Sequence, residues 1–178
     1  QSLKSRPMNR IINPLENMGV SIISNDGKLP LHIKAKDIKA INYLKKTKSA
    51  QVKTALIFAS LGSNKWSNIS YNKFTRDHTE QIMNDVGFNI TINTYLKVKK
   101  TQINKGINVS IPGDISSAAF IIAAAILRPD SDITIKNVLY NKNRLIFIKI
   151  LLKMGAIISI KNISNQKYGM QSCDINAK

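Results

Sequence analysis

The sequence predicts a mixed α/β (α+β) fold assembled from a repeated unit, and three regularities lead to this prediction. Three segments share one design, in which an amphipathic helix is followed by a glycine and then by a strand: NPLENMGVSII, EQIMNDVGFNIT and IKILLKMGAIISI. Their glycines lie 68 residues apart, at Gly19, Gly87 and Gly155. Two further pairs keep the same interval, Arg76 with Arg144 and Ser49 with Ser117. Landmarks that share one period indicate an internal repeat.

The elements of one unit can be assigned in order from residue 107 to residue 162. A strand is predicted for INVSI, where apolar and polar residues alternate, and a helix for SSAAFIIAAAIL, which ends at Arg128 and Pro129. A second strand is predicted for SDITIKNV, a second helix for NRLIFIKILLKMG up to Gly155, and a last strand for AIISIKN. The unit is therefore βαβα followed by one or two strands. The first unit begins partway, so the chain holds about two and a half units of 68 residues.

Composition is typical of a globular protein. The chain has 178 residues, 43% of them hydrophobic, and no apolar run reaches the roughly 20 residues of a membrane-spanning helix. The single cysteine, Cys173, excludes an internal disulfide and predicts a reducing, cytoplasmic compartment. With only His32 and His78 beside it, the chain offers no ligand spacing for zinc. Because the chain starts at Gln1, we expect it to be a piece of a longer protein.

The net charge of +17 allows three interpretations. A basic chain can bind nucleic acid or another polyanion, and it can equally bind a small anionic substrate. The charge can also reflect codon bias, because Lys, Asn and Ile share A/T-rich codons. The lysines cluster only at 45–48 and 97–100, and aromatic residues do not alternate with them. This pattern argues against nucleic acid, while codon bias and a small anionic substrate both stay compatible with the charge.

The helix that opens with KTKSAQ has more polar residues than its start requires. Ser49 can cap the first turn, where unpaired backbone N–H groups and a partial positive charge favour phosphate or carboxylate. A cap needs only one such residue, so Gln51 is the candidate ligand. The repeat partner of this segment has a serine, Ser117, at the position of Ser49, but no glutamine at the position of Gln51. The serine shared by both units is therefore interpreted as a cap.

The segment TRDHTE, residues 75–80, allows a structural and a functional interpretation. Asp77 followed by Glu80 fits a capping box, which would make most of the segment a helix start. Arg76 is not needed for that role, and its guanidinium suits the capture of phosphate or carboxylate. His78, as a lone histidine in the first turn, is interpreted as structural.

Two other loops carry similar candidates. In SRPMNR, Pro7 is predicted at a helix start, Arg6 just ahead of it is a third candidate for binding an anion, and Arg10 is interpreted as solvated or ion-paired. In IPGDISSAAF, Asp114 is predicted to cap a helix after a tight Pro-Gly turn. A hinge between two lobes is the alternative for this second segment.

Five segments, in their order and spacing, together resemble one enzyme family. They are SLKSRPMNRIINPLENMG, SAQVKTAL, TRDHTE, VSIPGDISSAAF and LLKMGA, and the family is the 5-enolpyruvylshikimate-3-phosphate synthases, or 3-phosphoshikimate 1-carboxyvinyltransferases. The resemblance runs from residue 1 to about residue 161. It implies the enolpyruvyl transferase fold, with two lobes that each contain three βαβαββ units. Residues 1–110 would then be the later part of one lobe, and residues 111–178 the first unit of the other.

The resemblance also implies a reaction. A carboxyvinyl group passes from phosphoenolpyruvate to the 5-hydroxyl of shikimate 3-phosphate and phosphate leaves, a step of the shikimate pathway toward aromatic amino acids that needs no metal or other cofactor. The family's pattern assigns phosphoenolpyruvate to Arg6 and shikimate 3-phosphate to Ser49, Ala50, Gln51 and Arg76, with Gln51 also near phosphoenolpyruvate. The acid–base carboxylates of the family have no counterpart here, so this chain would be inactive alone. The full-length enzyme is expected to be a cytoplasmic monomer with no nucleic-acid or membrane partner.

The chain departs from the family's pattern at five positions. Lys46 replaces a usual proline, Tyr71 replaces a glutamate, Leu145 and Ile146 replace a Thr-Gly pair, and Met170 replaces a common acidic residue. Two alternatives to an enolpyruvyl transferase therefore stay open. One is a decayed remnant without a ligand, and the other is a basic α/β module that binds a polyanion.

Overall fold

The computed structural model divides the chain into two compact units, Gln1–Gly106 and Ile107–Lys178. It describes residues 2–35, 37–72, 74–103, 106–142, 144–164 and 170–178, apart from the side chain of Lys46. The division lies four residues before the predicted boundary after residue 110. The assignment of the two units to separate lobes of an enzyme stays a prediction.

Within the described residues, the first unit contains three helices, a two-stranded hairpin and a four-stranded sheet. Its elements are α1 (Asn9–Asn17), β1 (Ser21–Asn25), β2 (Lys28–Lys34), β3 (Asn42–Thr47), α2 (Ala50–Ser60), β4 (Ser67–Tyr71), α3 (His78–Val86), β5 (Ile90–Ile92) and β6 (Leu96–Val98). Strands β1 and β2 form an antiparallel hairpin, and the other four form a sheet in the order β3-β4-β6-β5. Strands β3 and β4 are parallel, with α2 as the connection between them, whereas the remaining pairs are antiparallel.

The core of the first unit is formed by side chains from the helices and the four-stranded sheet. Its buried apolar residues are Met18, Ile41, Val52, Leu56, Ile57, Ile69, Met83, Ile90, Leu96 and Val98. Helix α2 contributes three of them and also buries Lys53, a charged residue that an apolar core does not accept without partners. One partner of this buried lysine is the backbone of Arg76, a candidate site residue.

The second unit contains two helices and one antiparallel sheet. Its elements are α4 (Ile115–Leu127), β7 (Ile133–Leu139), α5 (Ile146–Lys153), β8 (Ile158–Ser164) and β9 (Ser172–Ala177), with the strand order β7-β9-β8. Helix α4 buries Ile115, Ala118, Ile122 and Ala125, whose spacing of three or four residues places them on one face. They pack into a core with Val138, Leu145, Ile148, Cys173, Ile175 and Ala177.

The predicted repeat is confirmed in the helices that precede the glycines. Helices α3 and α5 begin 68 residues apart, at His78 and Ile146. Gly87 and Gly155 follow them with φ of +93° and +95°, and Gly19 follows α1 with φ of +89°. These are left-handed backbone conformations that glycine adopts without steric cost, as the sequence predicted for a helix that turns directly into a strand.

Two predicted elements differ in the structure. Residues 107–111, predicted as a strand, form none, and an isolated bridge joins Gly113, two residues further on, to Val138 in β7. An alternating segment becomes a strand only beside an available edge, and Pro112 has no N–H to extend the bridge. Helix α1 begins at Asn9, two residues after Pro7, with Met8 as its N-cap, and the N–H of Met8 donates to the carbonyl of Gly27 at 2.7 Å.

Candidate anion-binding site

The N-terminus of α2 is capped as the sequence predicted. Ser49 has extended φ and ψ of −101° and 116°, and its Oγ accepts a hydrogen bond from the N–H of Val52 at 3.4 Å. Thr47 accepts the N–H of Ser49 on its own hydroxyl at 3.1 Å, which orders the approach to the helix. Because the first N–H groups of a helix have no intrahelical acceptor, this end favours an anion.

A groove of about 490 Å³ lies beside this capped end. It is lined by Arg10, Tyr43, Lys45, Thr47, Lys48, Ser49 and Val52. Three of these residues are cationic and none is acidic, so the groove adds full positive charges to the partial charge of the helix end. The arrangement can bind a small, multiply charged anion.

Arg10 contributes more than the sequence predicted. Its Nη2 donates to Oε1 of Gln51 at 3.4 Å, which connects α1 with the first turn of α2. Arg10 is exposed, which agrees with the solvated side chain expected from the sequence, and its protein partner is an amide rather than a carboxylate. The two residues are 41 positions apart, so no local sequence pattern could predict this contact.

Lys53 forms a buried polar cluster between α2 and α3. Its side chain has no exposed surface, its Nζ donates to Thr75 Oγ1 at 3.0 Å and to the carbonyl of Arg76 at 2.6 Å, and it forms an ion pair with Glu80. The guanidinium of Arg76 is left exposed, although its backbone is held by this bond. Sequence reasoning missed Lys53, although a lysine within an otherwise apolar helix face was a signal for it.

The predicted capping box at residues 77–80 is wrong. Asp77 occupies the N-cap position without a capping hydrogen bond, and its Oδ2 accepts from Nε2 of Gln81 at 2.7 Å instead. Glu80 turns inward to Lys53 and is 1% exposed. A buried ammonium needs an opposite charge more than a helix start needs a second cap. His78 Nε2 is buried, and the described residues provide no hydrogen-bond partner for it.

Tyr71, which replaces the family's usual glutamate, also faces Lys53. The ammonium lies 5.3 Å from the centroid of the Tyr71 ring, a cation–π distance. Burial raises the pKa of the Tyr71 hydroxyl, and the negative charges of Glu80 and Asp77 raise it further. The ring therefore provides an uncharged partner for the lysine at this position.

The five predicted site residues are only partly brought together. Ser49, Ala50 and Gln51 share the first turn of α2, and Arg76 is joined to that helix through its carbonyl. Arg6 lies exposed in the turn before α1, and within the described residues its guanidinium has no hydrogen bond or ion pair. Substrate binding by these five residues stays a prediction.

The second unit has a different helix start. Asp114 caps α4 by accepting the N–H of Ser116 at 3.0 Å, as predicted. Ser117 lies inside the helix as its third residue, so capping is confirmed for Ser49 and wrong for Ser117. The repeat keeps the serine, but the aspartate three residues earlier already caps the helix.

Neither a membrane span nor a metal cluster is found in the part of the chain that the structure describes. None of its helices is both long and apolar enough to cross a bilayer. Groups of three or more His, Cys, Asp or Glu side chains that could hold a metal ion are likewise absent from these residues.

Comparison with known proteins gives one consistent family. The model of the family described as EPSP synthase (3-phosphoshikimate 1-carboxyvinyltransferase) matches residues 1–177. A 3-phosphoshikimate 1-carboxyvinyltransferase from Endomicrobium trichonymphae is 43% identical over 164 residues, which cover 91% of this chain and 38% of that protein. Another from Thermodesulfovibrio yellowstonii is 44% identical over 170 residues, with 93% and 39% covered.

A solved structure shows the same fold. The 2.37 Å structure of EPSP synthase from Acinetobacter baumannii matches with a TM-score of 0.81 and 32% identity, over 99% of this chain and 40% of that one. The predicted enolpyruvyl transferase fold is therefore confirmed. The chain spans about two fifths of the length of these relatives.

Proposed function

Because the chain belongs to the EPSP synthase family, we propose that it is a substrate-binding part of a 3-phosphoshikimate 1-carboxyvinyltransferase. Such an enzyme transfers the carboxyvinyl group of phosphoenolpyruvate to the 5-hydroxyl of shikimate 3-phosphate and releases phosphate. Both substrates are anions, and the observation that supports the proposal is the cationic groove at the capped start of α2. The groove combines three basic side chains with Ser49.

The proposal gives each candidate residue a role. The first turn of α2, with Ser49, Ala50 and Gln51, receives shikimate 3-phosphate, and the guanidinium of Arg76 neutralises part of its charge. Arg6 binds phosphoenolpyruvate, and Gln51 lies near both substrates. Support for Gln51 comes from its hydrogen bond with Arg10, a residue that lines the groove.

We assign binding, but not turnover, to this chain by itself. It spans about two fifths of its relatives, and the family resemblance implies that the acid–base carboxylates lie outside it. Electrostatic catalysis needs groups arranged around the developing charge from all sides, so a partial site binds substrate without accelerating the reaction. The enzyme is proposed to act in the cytoplasm as a monomer, without metal, nucleic acid or membrane.

The test is a calorimetric titration of shikimate 3-phosphate into the chain and into its Gln51→Ala and Arg76→Ala variants. We expect weak binding by the unchanged chain and a loss of about tenfold or more in each variant, because each removes a polar contact to a charged group. Arg128→Ala is the matched control, since it removes an exposed arginine at the end of α4. Absence of binding by a folded, unchanged chain would overturn the proposal.

The net charge of +17 favours polyanion binding as a second candidate. A protein that contacts many phosphates loses affinity steeply between about 50 and 200 mM salt. Titration of a single-stranded oligonucleotide at both salt concentrations tests this candidate. Tight binding of the oligonucleotide that weakens by orders of magnitude with salt, together with no response to shikimate 3-phosphate, would favour it over the transferase.

A further inference from the structure

Lys53 connects two parts of the candidate site through its backbone and its side chain. Its N–H donates to the carbonyl of Ser49 at 3.1 Å and so closes the first turn of α2. Its Nζ donates to the carbonyl of Arg76 at 2.6 Å. We infer that Lys53 is a positioning residue, which holds Arg76 at a fixed place relative to the start of α2. This inference rests on the proposed function.

The contacts of Lys53 account for its whole hydrogen-bonding capacity. An ammonium has three N–H donors, and this one has three oxygen partners: the hydroxyl of Thr75, the carbonyl of Arg76 and the carboxylate of Glu80. Two of these acceptors lie in the turn that carries Arg76. Because all three N–H groups of the ammonium are used, the acceptors of Thr75 and Arg76 are held at fixed positions around it. The backbone of this turn is therefore ordered by the buried lysine.

The burial of two charged side chains, Lys53 and Glu80, also argues for a role beyond packing. Removing two charges from water costs free energy that their attraction recovers only partly, and apolar pairs of similar size are often as stable or more stable. Hydrophobic residues would therefore hold α2 against α3 equally well. What they could not supply is a donor to the carbonyl of Arg76.

A second contact between the same helices provides the matched comparison. The hydroxyls of Thr54 and Thr79 lie 2.9 Å apart and connect α2 with α3 without contacting Arg76. If these helices needed only to be joined, the threonine pair would serve the same purpose as Lys53. The inference therefore predicts different effects on binding when each link is removed.

The experiment compares two double variants with the unchanged chain. Lys53→Met combined with Glu80→Leu removes the donor and leaves no buried charge unpaired, whereas Thr54→Val combined with Thr79→Val removes the other link. Lys53→Met alone is not used, because it would leave Glu80 buried without its partner, and the resulting loss of stability would confound the comparison of binding. Thermal unfolding followed by the fluorescence of Trp66 checks that both variants fold.

Shikimate 3-phosphate is then titrated into all three proteins. We expect the Lys53 variant to bind about tenfold more weakly or worse, and the threonine variant to bind within about twofold of the unchanged chain. Equal affinity of the Lys53 variant and the unchanged chain would overturn the inference. Equal weakening in both variants would also overturn it, because the effect would then come from the helix packing.

Amide hydrogen exchange separates this inference from the proposed function. In the Lys53 variant, residues 74–79 should exchange faster than in the threonine variant, while β4 and β6 should exchange at the same rate in both. An unchanged exchange rate at 74–79 overturns the positioning role whether or not substrate binds. Faster exchange at 74–79, in a chain that does not bind shikimate 3-phosphate even when unchanged, overturns the proposed function instead.

Discussion

The helix pair α2–α3 in the first unit and the pair α4–α5 in the second unit differ most at the residues between them. Between α2 and α3 lie an ion pair of Lys53 and Glu80 and a hydroxyl pair of Thr54 and Thr79. Between α4 and α5 the buried residues are apolar, among them Ile122 and Ile148. The buried side chains at this place are therefore charged in one unit and apolar in the other, where the hydrogen bond from Arg144 to Ser116 is only partly buried.

The two arginines of the repeat show what this difference achieves. The guanidinium of Arg144 donates a hydrogen bond to the hydroxyl of Ser116, so this side chain has a partner within the second unit. Arg76 is held through its carbonyl instead, and its guanidinium stays exposed. In the first unit the buried lysine binds the backbone of Arg76 and the arginine itself stays exposed, whereas in the second unit the side chain of Arg144 supports the start of α4.

Each unit contains one natural reporter of its unfolding. Trp66 is the only tryptophan and lies in the first unit, where its ring is 4.8 Å from the ammonium of Lys99. Cys173 is the only cysteine, lies in β9 and is 1% exposed. Burial raises the pKa of its thiol, with a further rise from Asp174, so the native thiol should react slowly. Fluorescence and thiol labelling can therefore follow the two units separately.

The largest expected effect comes from Glu80→Leu. This change leaves Lys53 buried beside a carbonyl and a hydroxyl but without an opposite charge. Breaking a buried ion pair in this way costs about 3–5 kcal/mol. Urea unfolding followed by Trp66 fluorescence should show that loss, whereas the labelling of Cys173 should be unchanged. A loss below about 1 kcal/mol would mean that the polar connection is not needed for the first unit to fold.

Ile122→Ala in α4 should have the next largest effect, in the opposite unit. The side chain is fully buried in the second core, and its truncation leaves a cavity. The expected cost is about 2–5 kcal/mol. It should appear as faster labelling of Cys173 at moderate urea concentrations, with the Trp66 transition unchanged. A shift of both reporters by the same amount would show that the two units unfold together.

The smallest expected effect is a dependence on pH at Asp174 in the second unit. Hydrogen bonds from Asn162 and from the backbone of Asn137 lower the pKa of this carboxyl, with help from Lys136. A lowered pKa means that the charged form stabilises the fold. That contribution is present above the ordinary aspartate pKa near about 4 and is lost as the pH falls through the lowered value.

Asp174→Asn tests this dependence. Labelling of Cys173 with a dipyridyl disulfide, which reacts at acidic pH, should rise less steeply between about pH 4 and pH 2 in the variant than in the unchanged chain. The size of the effect should be small, because the carboxyl is exposed to solvent. Identical pH profiles for the two proteins would show that Asp174 does not contribute.

Local sequence patterns determined the repeat, the helix ends and the family. Helices α3 and α5 begin one period apart, and Gly87 and Gly155 adopt the left-handed conformation that the pattern predicted. The caps at Ser49 and Asp114 also follow from residues within three positions of each helix start. These features are predictable because each depends on neighbours along the chain, whose distances are set by covalent geometry.

Only the tertiary structure decided how the candidate site is held together. Gln51 is 41 residues from Arg10, and Lys53 is 27 residues from Glu80, so no local period brings either pair together. The strand predicted at 107–111 failed for the same reason, since a strand needs a neighbouring edge as well as alternation. Glu80 shows the physical reason. Its carboxylate pairs with the buried ammonium of Lys53 instead of capping α3, because an unpaired buried charge costs more free energy than a missing cap.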